Sequence, residues 1–241
     1  MMFITKKTVV YVAVMVAILI SYVAQSHGET LNSQQASYIL PTPIPATDKQ
    51  RLAYLATLPE APTNEQTRAS LLIRLTLVVS NKETTVADVD QLEDDMTEWQ
   101  KNHSNDTEMM AAKGSLIAFK SSLYTDQLSK LSLYSRKGIR LMDRAAKNTP
   151  EHLGVRFQRG VANANMPAFT RRAHVAIDDL LLVKQNVGMS YGDGFYQLVN
   201  FYLAQAYVRN QEPEKAKPLL SQIASGDSDW SDKSRLALKD L

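Results

Sequence analysis

The sequence predicts an all-α chain of antiparallel helical hairpins, stacked as a short solenoid behind an N-terminal hydrophobic helix. Three observations carry that prediction. Beyond Asp48 no stretch reads convincingly as a strand. Apolar residues recur instead at three- and four-residue spacing, in blocks too short to be stable as isolated helices. Between the blocks fall capping residues, prolines and glycines, so that each block ends at a turn and the next can fold back on it.

The chain opens with Lys6 and Lys7, followed by residues 8–23, TVVYVAVMVAILISYV, a nearly unbroken apolar run. A charged stretch followed by an apolar one is the pattern of an export segment. Ala24 and Ser26 supply the small residues of a cleavage site that would leave His27 first. If retained, the run would serve as a single anchor, slightly short of the about 20 apolar residues that cross a roughly 30 Å hydrocarbon layer. Residues 1–26 therefore read as a signal peptide or a membrane anchor. Because lysines hold their end in the cytoplasm, either reading places the remainder in a periplasm or on the outer face of the cytoplasmic membrane. Membrane contact would run through residues 8–23 if they are uncleaved.

Residues 27–47 are polar and then punctuated by Pro41, Pro43 and Pro45. Each proline removes an amide donor and disfavours helix at the residue before it. The stretch is expected to be an extended, semi-rigid spacer, with an ordered strap lying over the domain as the other reading. Residues 48–241 are the helical-repeat domain.

Within it, Leu52 and Leu55 mark a first block, and Pro59 and Pro62 end it. Thr63 or Asn64 can cap the next, whose Leu71, Leu72, Leu75 and Val78 or Val79 share one stripe. Thr85 with Asp88 is a weaker relative of the capping box, ahead of Val86, Val89, Leu92, Met96 and Trp99. Asn105 with Glu108 is expected to open MMAAKGSLIAFKSSL. In TDQLSKLSLYSRKGIRLMDRAAKNTP, Leu131, Tyr134, Gly138, Leu141, Met142 and Ala145 gather within about 100° of arc, opposite Arg136, Arg140, Arg144 and Lys147. Thr149 before Pro150 reads as a helix start. Two more helices are expected around HLGVRFQRGVANAN and, past Pro167, around AFTRRAHVAIDDLLLVKQ.

The stretch QLVNFYLAQAYVRNQEPEKAKPLL places Leu203, Ala204 and Tyr207 on one helix and Ala216, Leu220 and Ile223 on the next, across the turn RNQEPE. Small residues allow two antiparallel backbones to approach, and large ones fill the space between hairpins. Residues 197–230 resemble a tetratricopeptide-type repeat, departing from it at Asn200 and Ile223. Weaker echoes lie in KGIRLMDRAAKNTP and in residues 152–185, where Gly160 takes the small position beside Arg159. SDKSRLALKDL would be a capping helix. The resemblance implies presentation of a surface to a peptide or protein, and gives catalysis no support. The expected partner is an envelope protein or peptide, with an accessory role in a membrane transporter or secretion complex as the alternative.

Composition narrows the chemistry further. There is no cysteine, which excludes disulfides and thiol catalysis. The formal charge is +2, supplied by Lys6 and Lys7, so the remainder is neutral and gives no reason to expect nucleic-acid binding. None of His27, His103, His152 and His174 stands in a metal-ligand spacing, and His174 with Asp178 is half a site at best. GMSYGDGFYQ lacks phosphate-loop spacing and supplies one carboxylate, Asp193, so Gly192 and Gly194 read as a turn before a helix beginning at Phe195. Adjacent carboxylates, Asp94 with Asp95 and Asp178 with Asp179, diverge by about 100° on a helix and do not face one substrate. No catalytic residue, metal or cofactor is expected. An enzyme with a helical-cleft site, drawing on His174, Asp178 or Asp193, is the reading of a different class.

Charge is nonetheless segregated. Residues 136–172 carry a local balance of +7, whereas residues 88–98 hold six carboxylates and no base. The basic residues Arg136, Arg140, Arg144, Lys147, Arg156, Arg159, Arg171 and Arg172 are the candidate protein-binding face. They could steer an acidic partner or pair with acidic helices across the fold.

Overall fold

The computed structural model describes residues 38–187 and 191–241. Past an extended segment, the described chain is helical: α1 (Asp48–Ala56), α2 (Asn64–Ser80), α3 (Val86–Asn102), α4 (Thr107–Lys120), α5 (Leu128–Asn148), α6 (Leu153–Asn165), α7 (Ala173–Val187), α8 (Gly192–Arg209), α9 (Pro213–Ala224) and α10 (Asp229–Lys239). Each helix packs on its successor, and α2, α4, α6, α8 and α10 also pack on one another in that order. This makes a stack of paired antiparallel helices in a repeat-like arrangement.

Local chemistry sets the starts. Thr47, Thr63 and Thr85 each accept from the third helical amide, while the side chain of Gln50, Gln66 or Asp88 accepts from the cap's own amide. Other starts differ from expectation. Asp106, not Asn105, caps α4, which leaves Glu108 for another task. Thr149 ends α5, its hydroxyl donating to Thr107 Oγ1 at 2.7 Å, and His152 caps α6. The helix expected from Phe195 begins at Gly192, whose φ of 79° suits only a residue without a Cβ.

The core lies between helix layers in three main clusters. Leu71, Leu72, Leu75, Val89, Leu92, Met96 and Leu116 fill the first. Leu153, Leu180, Val183, Val199 and Leu203 fill the second. In the third, Ala204 and Ala216 are fully buried together with Leu220, Ile223 and Phe201, and Tyr207 packs against them half-buried. At α4 and α5 the backbones touch: a Cβ on Gly138 would lie 2.5 Å from the Gly114 carbonyl oxygen and 2.6 Å from the Ala118 nitrogen.

The expectations of a signal peptide, a membrane anchor and a membrane location require correction. Among the described residues no helix is long and apolar enough to cross a membrane. Residues 8–23, on which those expectations rest, lie outside the described residues.

Candidate functional site

The even-numbered helices face a groove, and residues 38–46 lie along it. Ile39 forms a parallel bridge with His152: its amide donates to the Glu151 carbonyl at 3.2 Å, and the Leu153 amide donates to its carbonyl at 2.8 Å. The Tyr191 hydroxyl donates to the Pro41 carbonyl at 2.5 Å, and Arg51 Nε to the Pro45 carbonyl at 2.9 Å. Pro41 is buried, and Ile44 packs against the first core cluster. The three prolines keep this segment extended and withhold amides that would need partners.

At the centre is Thr42. Its amide donates to Glu108 Oε1 at 3.1 Å, and its hydroxyl donates to Glu108 Oε2 at 2.6 Å while accepting from Arg68 Nη1. Arg68 also grips Asp106 through two bonds, of 2.7 and 2.9 Å, and Glu108 Oε2 at 2.8 Å. Asp106 in turn accepts from Trp99 Nε1 and from the Met109 amide, both at 3.0 Å. Glu108 is only 2% exposed, and Gly154 makes room for it, because a Cβ there would collide with the carboxylate.

Electrostatics lock the arrangement. Burial opposes the Arg68 charge, but the Asp106 and Glu108 carboxylates outweigh it and raise its pKa. Burial likewise pushes the Asp106 carboxyl up, yet Arg68, the Met109 amide and Trp99 hold it below the usual carboxylate range. Burial lowers the His152 imidazole below its ordinary value, against the pull of Glu108. Its Nδ1 accepts from the Gly154 amide at 3.2 Å, so the ring caps α6 in its neutral form.

Beside the segment a cavity of about 530 Å³ remains. Pro43 and Ile44 border it on one side, and Leu75, Val79, Phe157, Val161, Phe195, Leu198, Tyr202 and Trp230, from α2, α6, α8 and α10, border it on the other. The lining is mostly apolar, with a volume that accommodates large side chains.

The structure scatters the residues singled out in the sequence. Arg136, Arg140, Arg144 and Lys147 are exposed along α5, as is Arg171 beyond α6. Arg156 and Arg159 turn inward onto Asp179, and Arg159 and Arg172 both reach Asp143, at 3.1 and 2.5 Å. The acidic stretch of α3 is partly answered by the fold itself: Glu93 pairs with Lys137 at 2.9 Å, Asp90 with Lys120, and Asp95 with Arg74 at 2.7 Å. His174, Asp178 and Asp193 are exposed, the first two on α7 and the third on α8. Among the described residues no group of three or more His, Asp or Glu side chains is placed to hold a metal ion. Thr42, Arg68 and Asp106 went unremarked in the sequence, and Glu108 was noticed only as a capping partner of Asn105.

The fold and groove together define an all-α protein of stacked, paired antiparallel helices with an extended segment held on its inner helices. No family model, curated protein or solved structure matches this chain. The tetratricopeptide resemblance accordingly rests on residues 197–230 and on the stacking alone.

Proposed function

We propose that this chain is a tetratricopeptide-like adaptor whose groove holds an extended segment of a protein partner. One observation carries the reading: residues 38–46 lie there in the manner of a bound peptide, held by side-chain bonds to their main-chain groups. Extended segments docked on a scaffold draw affinity from such main-chain bonds and specificity from adjoining pockets. Binding as its mode of action is supported by the way Arg68, Asp106 and Glu108 direct their hydrogen bonds to one another and to Thr42.

A second reading places the partner on the outer face of α5, where Arg136, Arg140, Arg144 and Lys147 are exposed and make no ion pair among the described residues. An acidic partner would suit that face. A photo-reactive side chain installed at Gln158, on the groove wall, or at Arg140 separates the two. The groove reading expects one discrete adduct from position 158, with the cross-linked partner peptide identified by sequencing. Adducts from position 140 alone would overturn it in favour of the basic face.

A further inference from the structure

We infer that the groove recognises an extended Pro-Thr-Pro or Pro-Ser-Pro segment of a partner protein, and that residues 41–46 are an internal competitor for that track. The inference rests on the peptide-binding reading above and names its ligand class. The groove's side-chain bonds to this segment fall on the Pro41 carbonyl and on the amide and hydroxyl of Thr42, while the Pro45 carbonyl is held from α1 by Arg51, six residues further along. A segment arriving from another protein would present the same groups. Proline on either side of the central residue presets the extended backbone, so little conformational freedom is lost on docking.

The hydroxyl is what the site selects. One oxygen must donate to the Glu108 carboxylate and accept from the Arg68 guanidinium at once, which threonine and serine can do and valine and alanine cannot. Glu108 is buried, so a ligand lacking the hydroxyl leaves it short of a donor. The chain's own segment is an incomplete occupant, because the cavity of about 530 Å³ beside Pro43 and Ile44 stays unfilled by it. A partner segment with a large apolar side chain near its second or third proline would use both the track and the cavity. That difference favours a partner protein over exchange of the same segment between two copies.

The test uses the full chain, as wild type and as Thr42→Val, with a labelled synthetic peptide of sequence YILPTPIPA. Fluorescence anisotropy should show the Thr42→Val chain binding at least roughly tenfold more tightly than wild type, because its internal competitor has lost charge-assisted bonds. Unlabelled peptide with valine in place of threonine should compete roughly tenfold less well. In wild-type protein, excess peptide should speed hydrogen exchange at the Thr42 amide, a readout that does not depend on how the variant folds. Equal competition by the threonine and valine peptides overturns the ligand class and leaves the groove reading intact. Failure of the peptide to bind either chain or to change exchange, while position 158 still cross-links a partner, does the same. Concentration-dependent dimers of Thr42→Val in sedimentation would overturn the assignment to a partner protein and make a second copy the occupant.

Discussion

The hairpin of α6 and α7 and that of α8 and α9 solve one packing problem with opposite chemistries. Each brings a small residue to a close contact: a Cβ on Gly160 would lie 2.8 Å from Leu180 Cγ, and Ala204 is buried with Ala216. The residue just before differs. Leu203 sits in apolar core, whereas Arg159 holds Asp179, which is 1% exposed, by bonds of 2.7 and 2.9 Å. The first hairpin also carries the neutral His152 at its entrance. Apolar packing fails by degrees as volume changes, while a buried ion pair fails abruptly when one partner is removed. The first hairpin is therefore the one sensitive to charge and pH.

The comparison can be broken most forcefully at Arg159. Arg159→Ala should cost about 3 kcal/mol in denaturant unfolding, because Asp179 keeps only Arg156 as a cation. Replacing the pair together, Arg159→Met with Asp179→Leu, should be closer to wild type than the single change; a double variant less stable than Arg159→Ala would show that the pair is irreplaceable here. Next in size, Ala204→Leu should overpack the apolar hairpin by about 1 to 3 kcal/mol at an unchanged denaturant slope. A wild-type midpoint for that variant would mean Ala204 faces open space.

Mild acidity should act on the first hairpin before the second, whose Glu212 carboxyl is held below the usual carboxylate range by Lys215 and Asn210. The folded His152 pKa lies below its ordinary value of 6.5, so the unfolded chain takes up a proton that the folded chain resists. Stability is then full above about pH 6.5 and declines as pH falls toward the lowered folded value. Hydrogen exchange should show the first turn of α6 losing protection across that window while α9 does not, and His152→Asn should flatten the dependence. Equal loss in both hairpins would refute the assignment. Smallest of all, Lys217→Ala on the exposed side of α9 should change stability by no more than about 0.5 kcal/mol.

How far these features were legible follows from their range along the chain. Helix faces were plain: Met142 and Ala145 are buried and Arg136, Arg140 and Arg144 exposed, as spacing along one helix demands. Starts were readable where the capping pair was local, as at Thr63 and Thr85, and misread where a cap competed with tertiary contacts. Glu108 looked like a capping partner in the sequence because it follows Asn105 by three residues; only its bond to Thr42, 66 residues away, reveals its use. The Arg68, Asp106 and Glu108 group was invisible because ordinary charged residues on separate helices converge only once the hairpins stack. The prolines at 41, 43 and 45 were the readable trace of the groove, leaving spacer and strap both open. Arg159 registered as a departure from the repeat pattern, since the acids that answer it lie 16 and 20 residues away.

The contact of Gly114 with Gly138 has a mechanical consequence. Where side chains separate two helices, the helices can roll or slide by changing rotamers. Where backbone meets backbone there is nothing to rearrange, and α4 and α5 move as one lever. Any widening of the groove must then be taken up at the joints on either side, between α2 and α4 or between α4 and α6. The fixed lever carries Glu108, so the track can open around its central anchor without displacing it.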